Sequence, residues 1–164
     1  MTTPHAPNAQ RAAPTAKAVS RAEGFTPRII AFCCENSSYA AADLAGAARL
    51  SYPVNVEIIR VPCAGRVDPM HVLHALNGGA DGVMVASCMK EQCNYVSGNL
   101  YAEKRMTQLA KWLEAIGFGG RLDFQMMGAG MAQHWVDATQ QFVARITQLG
   151  PNPMRHKHVE AKHR

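Results

Sequence analysis

The sequence predicts a single α/β domain. It reads as a four-stranded parallel sheet of strand order 2-1-3-4 with helices on both faces, flavodoxin-like or Rossmann-like. Three observations predict it. Short apolar runs alternate with helical patterns as β-α-β-α-β-α-β-α, the alternation that produces a parallel sheet. The first run, Ile29-Ile30-Ala31-Phe32, is apolar throughout, as expected of a strand covered on both faces. All five cysteines follow the ends of three such runs. Cys33-Cys34 follow the first, Cys63 follows Pro62, and Cys88 and Cys93 follow Gly82-Val83-Met84-Val85-Ala86. In an open parallel sheet these ends share one edge, where such sheets bind ligands.

The elements fall in order. Strand 1 is expected over 28–32. Ser37 or Ser38 is expected to cap an Ala-rich helix running to about residue 50, closed by Tyr52-Pro53. Strand 2 is 56–61. Asp68-Pro69 starts a second helix, because Asp is a favoured cap and Pro suits the first helical position. That helix carries Val72, Leu73 and Leu76 and stops at Gly78-Gly79. Strand 3 is 82–86, followed by a polar loop over 94–99. Met106, Leu109, Ala110, Leu113 and Ile116 recur at helical spacing, with Gly117 as the stop. Residues 121–127 alternate Leu122, Phe124 and Met126 with polar positions, which predicts a strand near an edge, open to solvent on one face. The last helix aligns Trp135, Thr139, Phe142, Ile146 and Leu149 and ends at Gly150-Pro151. Right-handed crossovers then give the order 2-1-3-4, with the switch point between strands 1 and 3.

The chain has 164 residues, enough to bury a core without disulfides. Its net charge of +5 is carried by the ends. Residues 1–24, rich in Ala, Pro, Thr and Ser, read as a disordered tail. Residues 151–164 read as a second, basic tail. The span 25–150, the expected folded domain, is neutral, so the basic pI does not argue for nucleic acid. No run approaches the length of a membrane span. With no secretory signal visible, the cytoplasm is the expected compartment. There, cysteines serve as ligands or redox groups more often than as structural disulfides.

Thiolates are soft ligands suited to zinc, copper(I) and iron–sulfur clusters. Four complete an iron–sulfur or all-cysteine zinc site, and the chain has one to spare. Cys33 and Cys34 are adjacent, and on a strand they would point to opposite sides, so both are not expected to serve one site. Cys88 and Cys93 enclose four residues, a spacing also found in plant-type ferredoxins. Arg66 stands three residues after Cys63, where a guanidinium would stabilise negative sulfur. The bland alternatives are small core cysteines and a surface arginine. His71 and His74 read as surface or helix-to-sheet packing residues, and His156, His158 and His163 as solvated. Gly128-Ala129-Gly130 lacks the third glycine of a dinucleotide fingerprint, since position 133 is Gln.

At these residues the chain resembles the delta subunit of methyl-viologen-reducing hydrogenase. The resemblance runs from about residue 28 to residue 150. It is carried by Ala31-Phe32-Cys33-Cys34 with Ser38-Tyr39-Ala40-Ala41-Ala42-Asp43-Leu44-Ala45-Gly46, and by Cys63-Ala64-Gly65-Arg66-Val67-Asp68-Pro69. Gly79-Ala80-Asp81-Gly82-Val83, Cys88 with Cys93, and Tyr95-Val96-Ser97-Gly98-Asn99 complete it. The resemblance implies an electron-transfer subunit carrying a [2Fe–2S] cluster, not catalytic alone. Its partners would be a heterodisulfide-reductase-like flavin subunit, together with a hydrogenase- or formate-dehydrogenase-type subunit. The family's second cysteine after Cys34 is replaced here by Ser37, and Met89, Glu91-Gln92 and Asn94 also depart from its pattern. The positions matched to the family's ligands are therefore Cys34, Cys63, Cys88 and Cys93. Cys33 and Ser37 are secondary candidates, and Arg66 is a neighbouring cation. The alternatives from other classes are a zinc-bound or metal-free assembly module and a thiol redox sensor.

Overall fold

The computed structural model describes residues 24–155. The segments 1–23 and 156–164, with the terminal histidines and most of both expected tails, lie outside the described residues. The elements are β1 (Ile29–Cys34), α1 (Ser38–Ala47), β2 (Val56–Val61), a 3₁₀ turn (Ala64–Arg66) and α2 (Pro69–Asn77). They continue with β3 (Gly82–Ser87), α3 (Gly98–Ala115), β4 (Leu122–Met126) and α4 (Ala132–Leu149). The four strands form one parallel sheet in the order β2-β1-β3-β4, as the alternation and crossover handedness require.

Two cores flank the sheet. One packs α1 and α4 through Ala41, Ala45, Trp135, Phe142 and Ile146 onto Ile29, Ala31 and Met84. The other packs α2 and α3 through Val72, Leu76, Met106, Leu109 and Leu113 onto Phe32, Val83 and Val85. β3 is buried along its whole length. Small residues permit the close packing: a Cβ at Gly82 would stand 2.8 Å from Ile146 and 2.9 Å from Phe142.

Several local expectations need correction. Cys33 and Cys34 are the last two residues of β1, not residues beyond it, because pairing with β2 continues through Cys34↔Val61. Neither serine caps α1 with its side chain. The Ser38 hydroxyl instead donates to the carbonyls of Ala86 (2.8 Å) and Cys34 (3.4 Å), joining β1 to β3. α1 stops at Ala47, short of residue 50. Gly98 and Asn99 belong to α3, not to the preceding loop. Ile116 and Leu149 are exposed, since each lies at or past the last turn of its helix. His71 is exposed, as a surface reading expects, and it also has a local role: its Nδ1 accepts from the Asp68 N–H at 2.9 Å and completes a capping box.

The segment after Gly150 returns to the sheet. Asn152 is fully buried and donates to the carbonyls of Leu76 and Ala80, both at 2.7 Å. The buried Asp81 carboxylate accepts from the N–H groups of Arg28 and Asn152 and pairs with Arg155 at 2.9 Å. This network ties both described ends of the chain to the N-terminal edge of the sheet. The cysteines occupy the opposite edge.

Candidate functional site

The strand ends and the loop after β3 bring four thiols to the C-terminal end of the sheet as two pairs. β1 ends at Cys34, the Pro62 turn after β2 presents Cys63, and β3 ends immediately before Cys88. Cys93 closes the loop that leads into α3. All five cysteines are free. The neighbours Cys33 and Cys34 part company at the sheet, as strand alternation demands. Cys33 is buried in the α1/α4 core and Cys34 in the α2/α3 core with Cys88.

The thiols form two pairs. Cys34 Sγ lies 3.5 Å from Cys88 Sγ, both buried. Cys63 and Cys93 flank Gly98: a Cβ built there would lie 2.5 Å from one sulfur and 3.4 Å from the other. Only a glycine leaves both sulfurs room. Gly65 has the same role one layer further in, where an added Cβ would lie 2.8 Å from Gly98 Cα. The 3₁₀ turn and the start of α3 thus approach backbone to backbone. Among the described residues, no three His, Cys, Asp or Glu side chains form a group that could hold a metal ion. The geometry is that of facing pairs.

The electrostatics divide these groups. Burial pushes the Cys33 thiol up to about 12, although the nearby Ser38 hydroxyl works against the shift. Burial pushes Cys88 up to about 11, with Ser37 opposing it and the neighbouring Cys34 and Cys93 adding to it. Cys63 is also raised, first by burial and then by Cys93 and Cys34, while the Gly65 N–H, 3.3 Å from its sulfur, favours the thiolate. Each pair therefore feels the other. Cys93 goes the opposite way. Burial would raise it, but the backbone N–H groups of Asn99, Tyr95 and Gly98 and the Cys63 thiol outweigh burial and bring it below its ordinary value. These donors belong to the start of α3 and the turn before it, so Cys93 sits where a helix favours negative charge.

Ser37 is buried, and its hydroxyl has no hydrogen-bond partner of good geometry. It lies close enough to Cys88 to favour that thiolate. Arg66 is exposed at the end of the 3₁₀ turn. It lines a cavity of about 660 Å³ together with Pro62, Cys63, Tyr95, Tyr101 and Arg105.

Three contributors escaped the sequence reading. Asn99 is buried and donates to the carbonyls of Met89 (2.8 Å) and Cys88 (3.4 Å), pinning the cysteine loop to α3. Arg105 donates to the Gly65 carbonyl. Tyr101 and Arg105 are four residues apart on α3, a spacing that puts them on one face; that was the legible signal. For Asn99, placed in a loop by its polar neighbours, no pattern marks the role.

A doubly covered parallel sheet with free thiols paired at its C-terminal edge defines the class: a small α/β protein with a cysteine cluster beyond its strand ends. The profile of the methyl-viologen-reducing hydrogenase delta subunit matches residues 29–150. The chain belongs to that family. It is 45% identical over 130 residues to the vhu iron-sulfur D subunit of F420-non-reducing hydrogenase from Methanocaldococcus jannaschii, covering 79% of this chain and 97% of that one. It is 43% identical over 124 residues to the protein of the same name from Methanopyrus kandleri, covering 75% of this chain and 94% of that one. A longer relative is the A subunit of the ferredoxin/F420H2-dependent CoB–CoM heterodisulfide reductase of Methanosarcina acetivorans. There the identity is 42% over 126 residues, which are 76% of this chain but 16% of that one.

Proposed function

We propose that this protein is an electron-transfer subunit holding a [2Fe–2S] cluster on Cys34, Cys63, Cys88 and Cys93. It would relay electrons between a heterodisulfide-reductase-like flavoprotein and a hydrogenase- or dehydrogenase-type subunit. The observation that carries the reading is the disposition of thiols in two adjacent pairs. A binuclear cluster takes four cysteines, two on each iron, whereas structural zinc needs four donors around one point. The buried, unpartnered Ser37 hydroxyl beside the Cys34/Cys88 pair supports it, because buried polar groups ordinarily have partners. The cluster would supply one-electron oxidation and reduction.

The chain's own residues hold and bias the sulfurs. Gly65 and Gly98 make room for them. The Gly65 N–H and the start of α3 stabilise negative charge on Cys63 and Cys93. Asn99 fixes the loop that carries Cys88 and Cys93. Burial of the Cys34/Cys88 pair excludes water from one side of the site.

The relatives' names support the wider setting. Several are iron-sulfur subunits of hydrogenases, and two are heterodisulfide reductase A subunits in which a related segment is part of one longer chain. No helix among the described residues is long and apolar enough to cross a membrane. A cytoplasmic location is part of the same proposal. Visible absorbance of the anaerobically purified protein tests it. A [2Fe–2S] protein is coloured and bleaches on reduction. A colourless protein binding zinc would overturn the cluster.

A further inference from the structure

Hydrogen-bond donors serve the two thiol pairs unequally. The Gly65 N–H reaches the Cys63 sulfur at 3.3 Å, and backbone N–H groups around the start of α3 serve Cys93. Among the described residues, no backbone N–H serves Cys34 or Cys88. Those two sulfurs lie 3.5 Å apart in a thiol–thiol contact, and the Cys34 thiol also donates to the Pro62 carbonyl at 3.8 Å. Both contacts run through an S–H proton. A cysteine that binds a metal has lost that proton. Ligation would therefore leave two buried, negative sulfurs without a donor, a costly state away from water.

A donor stands beside them. Among the described residues, four buried side-chain nitrogen or oxygen atoms lack a partner, and three of them, on Ser37, Ser87 and Arg105, lie at the thiol end of the sheet. Buried polar groups ordinarily have partners. Ser37 is 3% exposed. Its N–H bonds back to the Cys34 carbonyl at 3.2 Å and its carbonyl accepts from the Ala41 N–H at 2.8 Å, so the turn after β1 fixes its backbone at both ends. Its hydroxyl is near enough to Cys88 to act on that thiol. A thiol is a weak acceptor and an ionised sulfur a stronger one. The hydroxyl is thus idle in the cluster-free chain and has a partner once Cys88 is ionised.

We infer that Ser37 donates its O–H to the Cys88 sulfur in the cluster-bound protein and thereby raises the reduction potential of the site. The inference rests on the electron-transfer reading and deepens it. Ser37 acts through Cys88 and is not itself a ligand. Reduction adds one electron and with it negative charge on the sulfurs, so an O–H bond to sulfur is stronger in the reduced state. The hydroxyl keeps its proton in both states.

The test is a redox titration of the anaerobically reconstituted full-length protein, followed by visible absorbance. Wild type, Ser37→Ala and Ser37→Thr are compared, with iron content and resonance Raman spectra in H2O and D2O. Ser37→Ala should keep iron near wild type and be harder to reduce. Its reduced-to-oxidised ratio at a fixed potential should fall about tenfold, which is about 59 mV for a one-electron couple. Ser37→Thr, which keeps the hydroxyl, should restore the wild-type potential. The D2O shift of the iron–sulfur bands should be smaller in Ser37→Ala than in wild type, a readout that packing alone does not move. An unchanged potential and an unchanged D2O shift in Ser37→Ala overturn the inference and leave the cluster standing. A potential lowered equally in both variants, with the D2O shift unchanged, overturns it in favour of packing. Loss of iron in Ser37→Ala overturns it by making Ser37 a ligand. A wild type that holds no iron overturns the electron-transfer reading, and this inference with it.

Discussion

Alanine at Gly98 should separate the thiol site from the fold. Gly98 is the first residue of α3, so its backbone accepts alanine. Inside a helix that change would stabilise by up to about 1 kcal/mol, and by less at the first turn. The added Cβ, however, lies 2.5 Å from Cys63 Sγ. Comfortable contact is roughly 3.5–4 Å, so the sulfur must retreat by about 1 Å or more. In the cluster-free chain Cys63 can turn about χ1, at roughly 1 kcal/mol. That offsets the helix gain, and the midpoint of thermal unfolding should move by no more than about 3 °C. A sulfur bonded to iron cannot turn away. Gly98→Ala should therefore fold normally and fail to hold iron, as read by iron and sulfide content and visible absorbance. Gly65→Ala is the contrast: its Cβ would meet Gly98 Cα at 2.8 Å and the carbonyl oxygen at 2.9 Å. Backbone cannot yield as a side chain does, so the fold itself should lose about 1–3 kcal/mol. Gly46→Ala, with nothing within 4 Å, should be harmless. A Gly98→Ala protein with full iron and an unchanged spectrum, or one that does not fold without the cluster, refutes the reasoning.

Alkylation of the cluster-free protein at pH 8, followed by mass spectrometry, should modify Cys93 first, because its thiol is lowered and partly exposed. Cys33, buried and raised to about 12, should stay unmodified in the folded protein, its thiolate fraction being about one in ten thousand. Ser37→Ala should leave iron content near wild type and stabilise the cluster-free chain by up to about 1 kcal/mol, measured by denaturant unfolding, since it removes a buried hydroxyl without a partner. Asp81→Ala leaves the Arg28 and Asn152 N–H groups and Arg155 unpaired. It should cost about 3 kcal/mol, roughly 10 °C in the unfolding midpoint, without changing the spectrum of folded, cluster-loaded protein.

The sheet was legible because its signals are local and repeated. Strand 2 and the Asp68-Pro69 helix start fall where the residues placed them. Strand order followed from handedness, and the gathering of cysteines at one edge followed from strand order. What escaped depends on distant partners. The Ser38 hydroxyl bonds across 48 residues to Ala86, which no capping pattern announces. Asn152 looks like tail, yet it is held by carbonyls more than 70 residues earlier. Gly98 read as part of a polar loop and Gly65 drew no reading of its own, and their real constraint is each other's backbone and two sulfurs. The pairing of thiols likewise could not be read from spacing. Cys88 and Cys93 are near in sequence, but Cys88 faces Cys34 while Cys93 faces Cys63.

The most direct test is iron and acid-labile sulfide per chain after anaerobic reconstitution, in wild type and single cysteine variants. The account predicts about two irons and about two sulfides in wild type and in Cys33→Ala. It predicts little or none in Cys34→Ala, Cys63→Ala, Cys88→Ala and Cys93→Ala. Iron lost in Cys33→Ala but kept in Cys34→Ala, or a wild type that binds neither iron nor sulfide, contradicts it.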